Sequence, residues 1–413
     1  MSWRAWLHGA DSSSSSNDTS SERRLQVLTH EDRLFFTDGT TQPAVRAFHL
    51  ALRFVEDVAR YTIADLTPDV TENHPDGYAR VLRPVGIAMF EEASDRTSIY
   101  WADAGAGAIL GVRLDGTPLR IAVNGLHTPE QLAIDMLPYL PRNSVGQPID
   151  GPRLYWGDTG TNKIQRCRLW GTEAQLWACA AGSIEDIHTN MRLVQGLAGD
   201  WSTSRLFWAD GMRRGVYESE TAGSTPELTV CHSPRMPSLP RQIPTVTRAR
   251  ACRRRQIEVD MPTCITVEES VSAGEGSVFY ADQQTPSSVN RLFFNGSFFS
   301  IMAASTNRGL SQPRALVYHS NMLLIGDAGT GEILLADSLG NWVDSLYQQD
   351  GLRPLGFTLH GESQLYRLQN IMTASTSGAS RCTAGSAAAL LVVLSSWFVR
   401  RVSQHGHHGV RGG

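Results

Sequence analysis

The chain has 413 residues, 41% of them hydrophobic, and a formal net charge of -4 at pH 7. That length and apolar content can bury a large core, while a charge so near balance gives no global attraction to nucleic acid, so no nucleic-acid partner is expected. No metal-spaced His/Cys set, phosphate loop or nucleophile elbow is present, and neither a cofactor nor a metal is expected.

Residues 1–22 form a polar opening with a serine tract, Ser12 to Ser16, and read as a disordered N-terminus. This opening lacks the sustained apolar run of a secretory leader. It carries one glycosylation sequon, Asn17-Asp-Thr19.

Over residues 23–370 a six-residue phrase recurs six times. It reads Arg33-Leu-Phe-Phe-Thr-Asp38, Ser98-Ile-Tyr-Trp-Ala-Asp103, Arg153-Leu-Tyr-Trp-Gly-Asp158, Arg205-Leu-Phe-Trp-Ala-Asp210, Ser277-Val-Phe-Tyr-Ala-Asp282 and, eroded, Met322-Leu-Leu-Ile-Gly-Asp327. Its final aspartates lie 45 to 72 residues apart, the spacing of an array of supersecondary units. A short run of consecutive apolar residues suits a strand buried on both faces. Downstream come a second strand pattern and a glycine turn, as in Ala108 to Gly116, Lys163 to Gly171 and Glu332 to Gly340, then a third strand such as Leu119 to Val123 or Gln175 to Ala180.

Upstream of the phrase lies a strand rich in small residues: Pro84-Val-Gly, Pro129-Glu-Gln, Val194-Gln-Gly, Pro262-Thr-Cys and Pro313-Arg-Ala. Small side chains are what a strand near a crowded axis requires. Each unit is therefore expected to be a four-stranded antiparallel sheet, and radial packing of six such sheets gives an all-β, six-bladed β-propeller. The first phrase has no such strand close before it, whereas Pro354-Leu-Gly-Phe-Thr-Leu-His360 stands alone near the other end. Docking of this orphan in the first blade would close the ring and remove its edges. The alternative makes Arg24 to Leu28 the first inner strand and leaves Pro354 to Leu368 as part of a seventh blade.

The phrases ending in Asp38, Asp103, Asp158 and Asp210, with the stretches Arg153 to Gly171 and Gln195 to Asp210, resemble the YWTD, or class B, repeats of the low-density-lipoprotein receptor family. The resemblance covers roughly residues 25 to 368 and implies a six-bladed propeller whose first blade borrows its inner strand from the C-terminal end. In that family the propeller usually adjoins cysteine-rich modules. Cys167, Cys179, Cys231, Cys252, Cys264 and Cys382 cannot build those, so the propeller carries over and lipoprotein uptake does not.

The six recurrent aspartates, one per blade, would stand too far apart to share a proton or an ion. They are expected to accept backbone hydrogen bonds at the strand end and the following turn, as blade markers. Convergent polar residues belong instead where the inner strands start, at Val85, Glu130, Gln195, Thr263, Arg314 and Leu355. Of these, Glu130, Gln195 and Arg314 are the candidates for binding at a channel mouth, and three such groups are fewer oxygen ligands than a calcium-dependent lactonase site needs.

Between the fourth and fifth blades, residues 232–261 form a Pro/Arg-rich insertion with Arg248, Arg250, Arg253, Arg254 and Arg255. This is either a solvated loop or an arm for an acidic partner. Cys167 and Cys179 flank a turn and are open to a cross-strand disulfide or to two buried thiols, and one pair among Cys231, Cys252 and Cys264 could staple the insertion. A second sequon stands at Asn295-Gly-Ser297.

Residues 371–383 are a Ser/Thr/Gly/Ala-rich stalk, 384–399 an uncharged membrane-spanning or anchor segment, and 400–413 a polar tail headed by Arg400-Arg401. The expectation is a non-catalytic, receptor-like scaffold for a protein ligand, anchored in a membrane at its C-terminus, with the propeller extracellular or luminal. A tail-anchored form facing the cytosol stays open. The competing readings are a propeller hydrolase of the lactonase or strictosidine-synthase-like type and a cytosolic assembly platform.

Overall fold

The computed structural model describes residues 33–40, 42–66, 81–93, 96–136, 150–171, 177–223, 227–231, 259–268, 276–283, 286–294, 297–302, 309–319, 321–340 and 343–360. Six antiparallel sheets make a ring. Their inner strands are Pro354–His360 in blade 1, Pro84–Ala93 in blade 2, Pro129–Asp135 in blade 3, Val194–Asp200 in blade 4, Pro262–Glu268 in blade 5 and Pro313–His319 in blade 6. Each inner strand touches that of the next blade, and the sixth touches the first.

The repeated phrase forms the second strand of every blade. In blade 1, Arg33–Asp38 pairs on one side with Ala44–His49 and on the other with Pro354–His360, so the orphan strand closes the ring. A six-bladed propeller follows, and the partial seventh blade does not form. Blade 3 departs from the four-stranded plan: its third strand, Lys163–Trp170, pairs with both Ala178–Cys179 and Glu185–Thr189, making a five-stranded sheet.

The phrase explains the core. Successive side chains of a strand point to opposite faces, and here each face meets a different blade. The third phrase residue packs toward the following blade and the fourth toward the preceding one. Tyr100 joins the core between blades 2 and 3, and Trp101 the core between blades 1 and 2. The same division separates Tyr155 from Trp156, Phe207 from Trp208, Phe279 from Tyr280, Phe35 from Phe36, and Leu324 from Ile325. Six clusters therefore fill six inter-blade gaps, and burying each such side chain contributes roughly 1.5–3 kcal/mol.

Near the axis the requirement reverses from bulk to its absence. A Cβ on Gly86 would lie 2.5 Å from the Glu130 carbonyl oxygen, and one on Gly356 would lie 2.4 Å from that of Val85. Neighbouring inner strands approach too closely for any larger residue there. Among the described residues no helix is long and apolar enough to cross a membrane. Segment 384–399, the stalk 371–383, the tail 400–413 and residues 1–22 lie outside the described residues.

Candidate functional site

The recurrent aspartates do one structural job in all six blades. Each carboxylate sits at the end of the second strand and accepts N–H groups from the chain entering its inner strand. Among the described residues, Asp Oδ1 in five blades also accepts from the turn that follows, with a shortest bond of 2.8–3.2 Å. Asp327 accepts from Ser311 at 2.7 Å, Gln312 at 2.8 Å and Gly329 at 2.9 Å. Asp103 accepts from Arg83, Gly105 and Ala106 at 2.8–2.9 Å and from the Tyr61 hydroxyl at 2.7 Å. Asp158 binds His127, Thr128 and Gly160, Asp210 binds Arg192, Leu193 and Arg213, and Asp282 binds Asp260 and Met261. Asp38 does the same with Thr40 and Arg353. With these backbone bonds, and with the Tyr61 hydroxyl on Asp103 and Arg46 paired to Asp38, the carboxylates act as structural locks between strand end and inner-strand entry.

By fixing the chain just before each inner strand, the aspartates also aim the residues around the axis. A cavity of about 340 Å³ opens there, lined by Glu130, Gln195 and Arg314 together with Val85 and Leu355. Arg83 and Arg353, each immediately before an inner-strand proline, complete its charged rim. Thr263, at the equivalent position of blade 5, is not among the lining residues: its hydroxyl donates to the Pro313 carbonyl at 2.9 Å and is buried.

Glu130 is 9% exposed and accepts from Arg83 Nη2 at 2.9 Å. Burial pushes its carboxyl above the usual glutamate range, opposed by the positive charges of Arg83 and Arg314. Arg314 is held below the ordinary arginine value, first by burial and further by repulsion from Arg83 and Arg353; Glu130 acts the other way. The cavity thus gathers three guanidinium groups around one carboxylate. Its described lining has no Ser, Cys, His or second carboxylate to serve as nucleophile or base.

Cys167 and Cys179 are joined as a disulfide across the outer part of blade 3, which decides between the two arrangements left open by the sequence. Cys264 is a buried free thiol on the inner strand of blade 5 and staples nothing. The arginines Arg248, Arg250, Arg253, Arg254 and Arg255, and the sequons at Asn17 and Asn295, lie outside the described residues.

Among solved structures the chain is similar to one chain of the crystal structure of a nidogen/laminin complex, with a TM-score of 0.53, 15% sequence identity, and coverage of 79% of this chain and 98% of that one. At this identity the likeness is one of fold. No protein-family model and no curated protein matches the chain.

Proposed function

We propose that the protein is a non-catalytic, receptor-like binding propeller of the YWTD type that engages a protein partner through the face bearing the channel mouth. The observation that carries this reading is the polar cavity on the axis, built from residues of several blades and held in place by the aspartate locks. The phrase itself, with its third and fourth residues divided between two inter-blade cores, supports the assignment to YWTD propellers. The nidogen/laminin structure is a complex between proteins, which agrees with a scaffold reading.

A lactonase-like site needs several oxygen ligands around a divalent cation. Here Glu130 is already engaged by Arg83, and the neighbouring charges are those of Arg314 and Arg353, a set that repels a cation. The Cys167–Cys179 bridge supports maturation in an oxidising compartment. Anchoring through 384–399 and an acidic partner at the basic insertion belong to the same proposal.

Photo-crosslinking tests it. With a photoreactive residue at Gln131, which lines the channel mouth, the protein displayed on its native cell should form a specific adduct with a protein partner. The same group at Trp170, on the outer part of blade 3, should not. Adducts only from Trp170 would move the interface off the channel face.

A further inference from the structure

The channel mouth carries more positive charge than its own carboxylate can neutralise. Arg83, Arg314 and Arg353 stand on blades 2, 6 and 1, three consecutive sectors of the rim, against Glu130 alone. Arg83 bonds Glu130, whereas among the described residues neither the Arg314 nor the Arg353 side chain finds an acceptor. The Gln195 amide also lines the cavity, with a buried Oε1 that has no partner. We propose that this pocket takes a carboxylate, the side chain of an aspartate or glutamate presented by the protein partner. The inference rests on the channel-mouth reading of the preceding section and names the chemical group that the face selects.

Four considerations favour a carboxylate over other ligands. Guanidinium groups match the planar carboxylate fork and make charge-assisted hydrogen bonds that are stronger than neutral ones. Val85, Leu193 and Leu355 supply apolar walls, which keep the field of the arginines from being screened. The cavity, about 340 Å³, lies at the small end of ligand pockets and suits one side chain. Glu130 then disfavours a phosphate dianion more than a carboxylate monoanion, because like charges at close range repel.

The test uses acetyl-aspartyl-amide and its isostere acetyl-asparaginyl-amide as probes, titrated by NMR at low ionic strength. The aspartyl probe should bind saturably at one site, with the asparaginyl probe at least about tenfold weaker, as expected for a charge-assisted contact. Arg314→Gln and Arg353→Gln should each weaken the aspartyl probe severalfold, and Glu130→Gln should strengthen it, while Arg60→Gln on the outer strand of blade 1 leaves it unchanged. Arg353 is exposed, so its variant keeps the test available if Arg314→Gln fails to fold. Equal binding of the two probes, no saturable binding, or tighter binding of inorganic phosphate would overturn the proposal.

Failure of this inference separates from failure of the scaffold reading. If the Gln131 crosslink to the partner survives Arg314→Gln and Arg353→Gln together but is lost on Leu355→Trp, the channel face binds the partner without a carboxylate. If the aspartyl probe binds and no partner crosslinks at Gln131, the pocket stands and the scaffold reading falls.

Discussion

The carboxylate of Asp38 accepts the backbone N–H of Arg353 at 3.1 Å, across 315 positions of sequence, while the N–H of Gly39 returns a bond to the Arg353 carbonyl at 3.0 Å. In the other blades the same lock joins segments close in sequence. In blade 1 it ties the two ends of the propeller, and Arg46 adds an ion pair to Asp38 at 3.1 Å. Asp38→Ala should therefore cost about 2 kcal/mol, since it leaves the part-buried Arg353 N–H without its acceptor and removes one of the two carboxylates, Asp38 and Asp57, that pair with Arg46. The effect should concentrate where the ring closes. Hydrogen exchange should accelerate in Pro354–His360 well before Pro313–His319, and equal protection of the two strands would contradict a seam at blade 1.

The division of each aromatic pair between two inter-blade cores predicts a sharp contrast among tryptophans. Trp156 is fully buried between blades 2 and 3, and its indole N–H donates to Gln165 at 3.1 Å. Trp156→Ala should destabilise by about 3–5 kcal/mol. Trp170 is 56% exposed, with Arg168 over its ring, and Trp170→Ala should cost under about 1 kcal/mol. Urea unfolding of the two variants measures both.

These contrasts show which features a sequence can carry. The apolar phrase, the inner-strand glycines and the orphan Pro354 strand each report a local steric demand, so strand order, blade number and closure were legible. Glu130, Gln195 and Arg314 were found because each follows the first residue of an inner strand. Arg83 and Arg353 were missed because they precede it; the signal was an arginine directly before a strand-opening proline, Arg83-Pro84 and Arg353-Pro354. Thr263 could not be separated from its equivalents, because its bond to the Pro313 carbonyl depends on how blade 5 meets blade 6. The second outer segment of blade 3, Glu185–Thr189, has no apolar run to mark it and is mostly exposed.

The cysteines give a chemical prediction. The bridge between Cys167 and Cys179 spans a sequence separation of 12, and a loop of that size contributes about 3 kcal/mol in the chain-entropy account. Reduction, or Cys167→Ser with Cys179→Ser, should lower stability by about 2–3 kcal/mol. Cys264 should behave oppositely to a reactive thiol. It is 4% exposed, and burial pushes its thiol up to about 12, so the thiolate that alkylating agents require is scarce at neutral pH. Iodoacetamide on the native protein, read by mass spectrometry, should leave Cys264 unmodified and should label it after denaturation.

Glu91 on the inner strand of blade 2 predicts a pH dependence with a defined sign. Burial raises its carboxyl from 4.5 to about 6, and the His360 ring on the neighbouring inner strand lies 3.7 Å away. A carboxyl whose pKa is higher in the folded state than in the unfolded one favours folding while protonated. Its contribution is complete below about pH 4.5 and is lost as the pH rises through about 6. The shift corresponds to at most about 2 kcal/mol. Urea midpoints measured from pH 4 to 7.5 should show wild type losing stability relative to Glu91→Gln across that window, with the variant the more stable above it. Because both proteins share every other titrating group, the difference between them isolates Glu91. A difference that does not vary with pH would show that this carboxyl is ionised throughout and is held by a partner, with His360 the nearest group able to hold it.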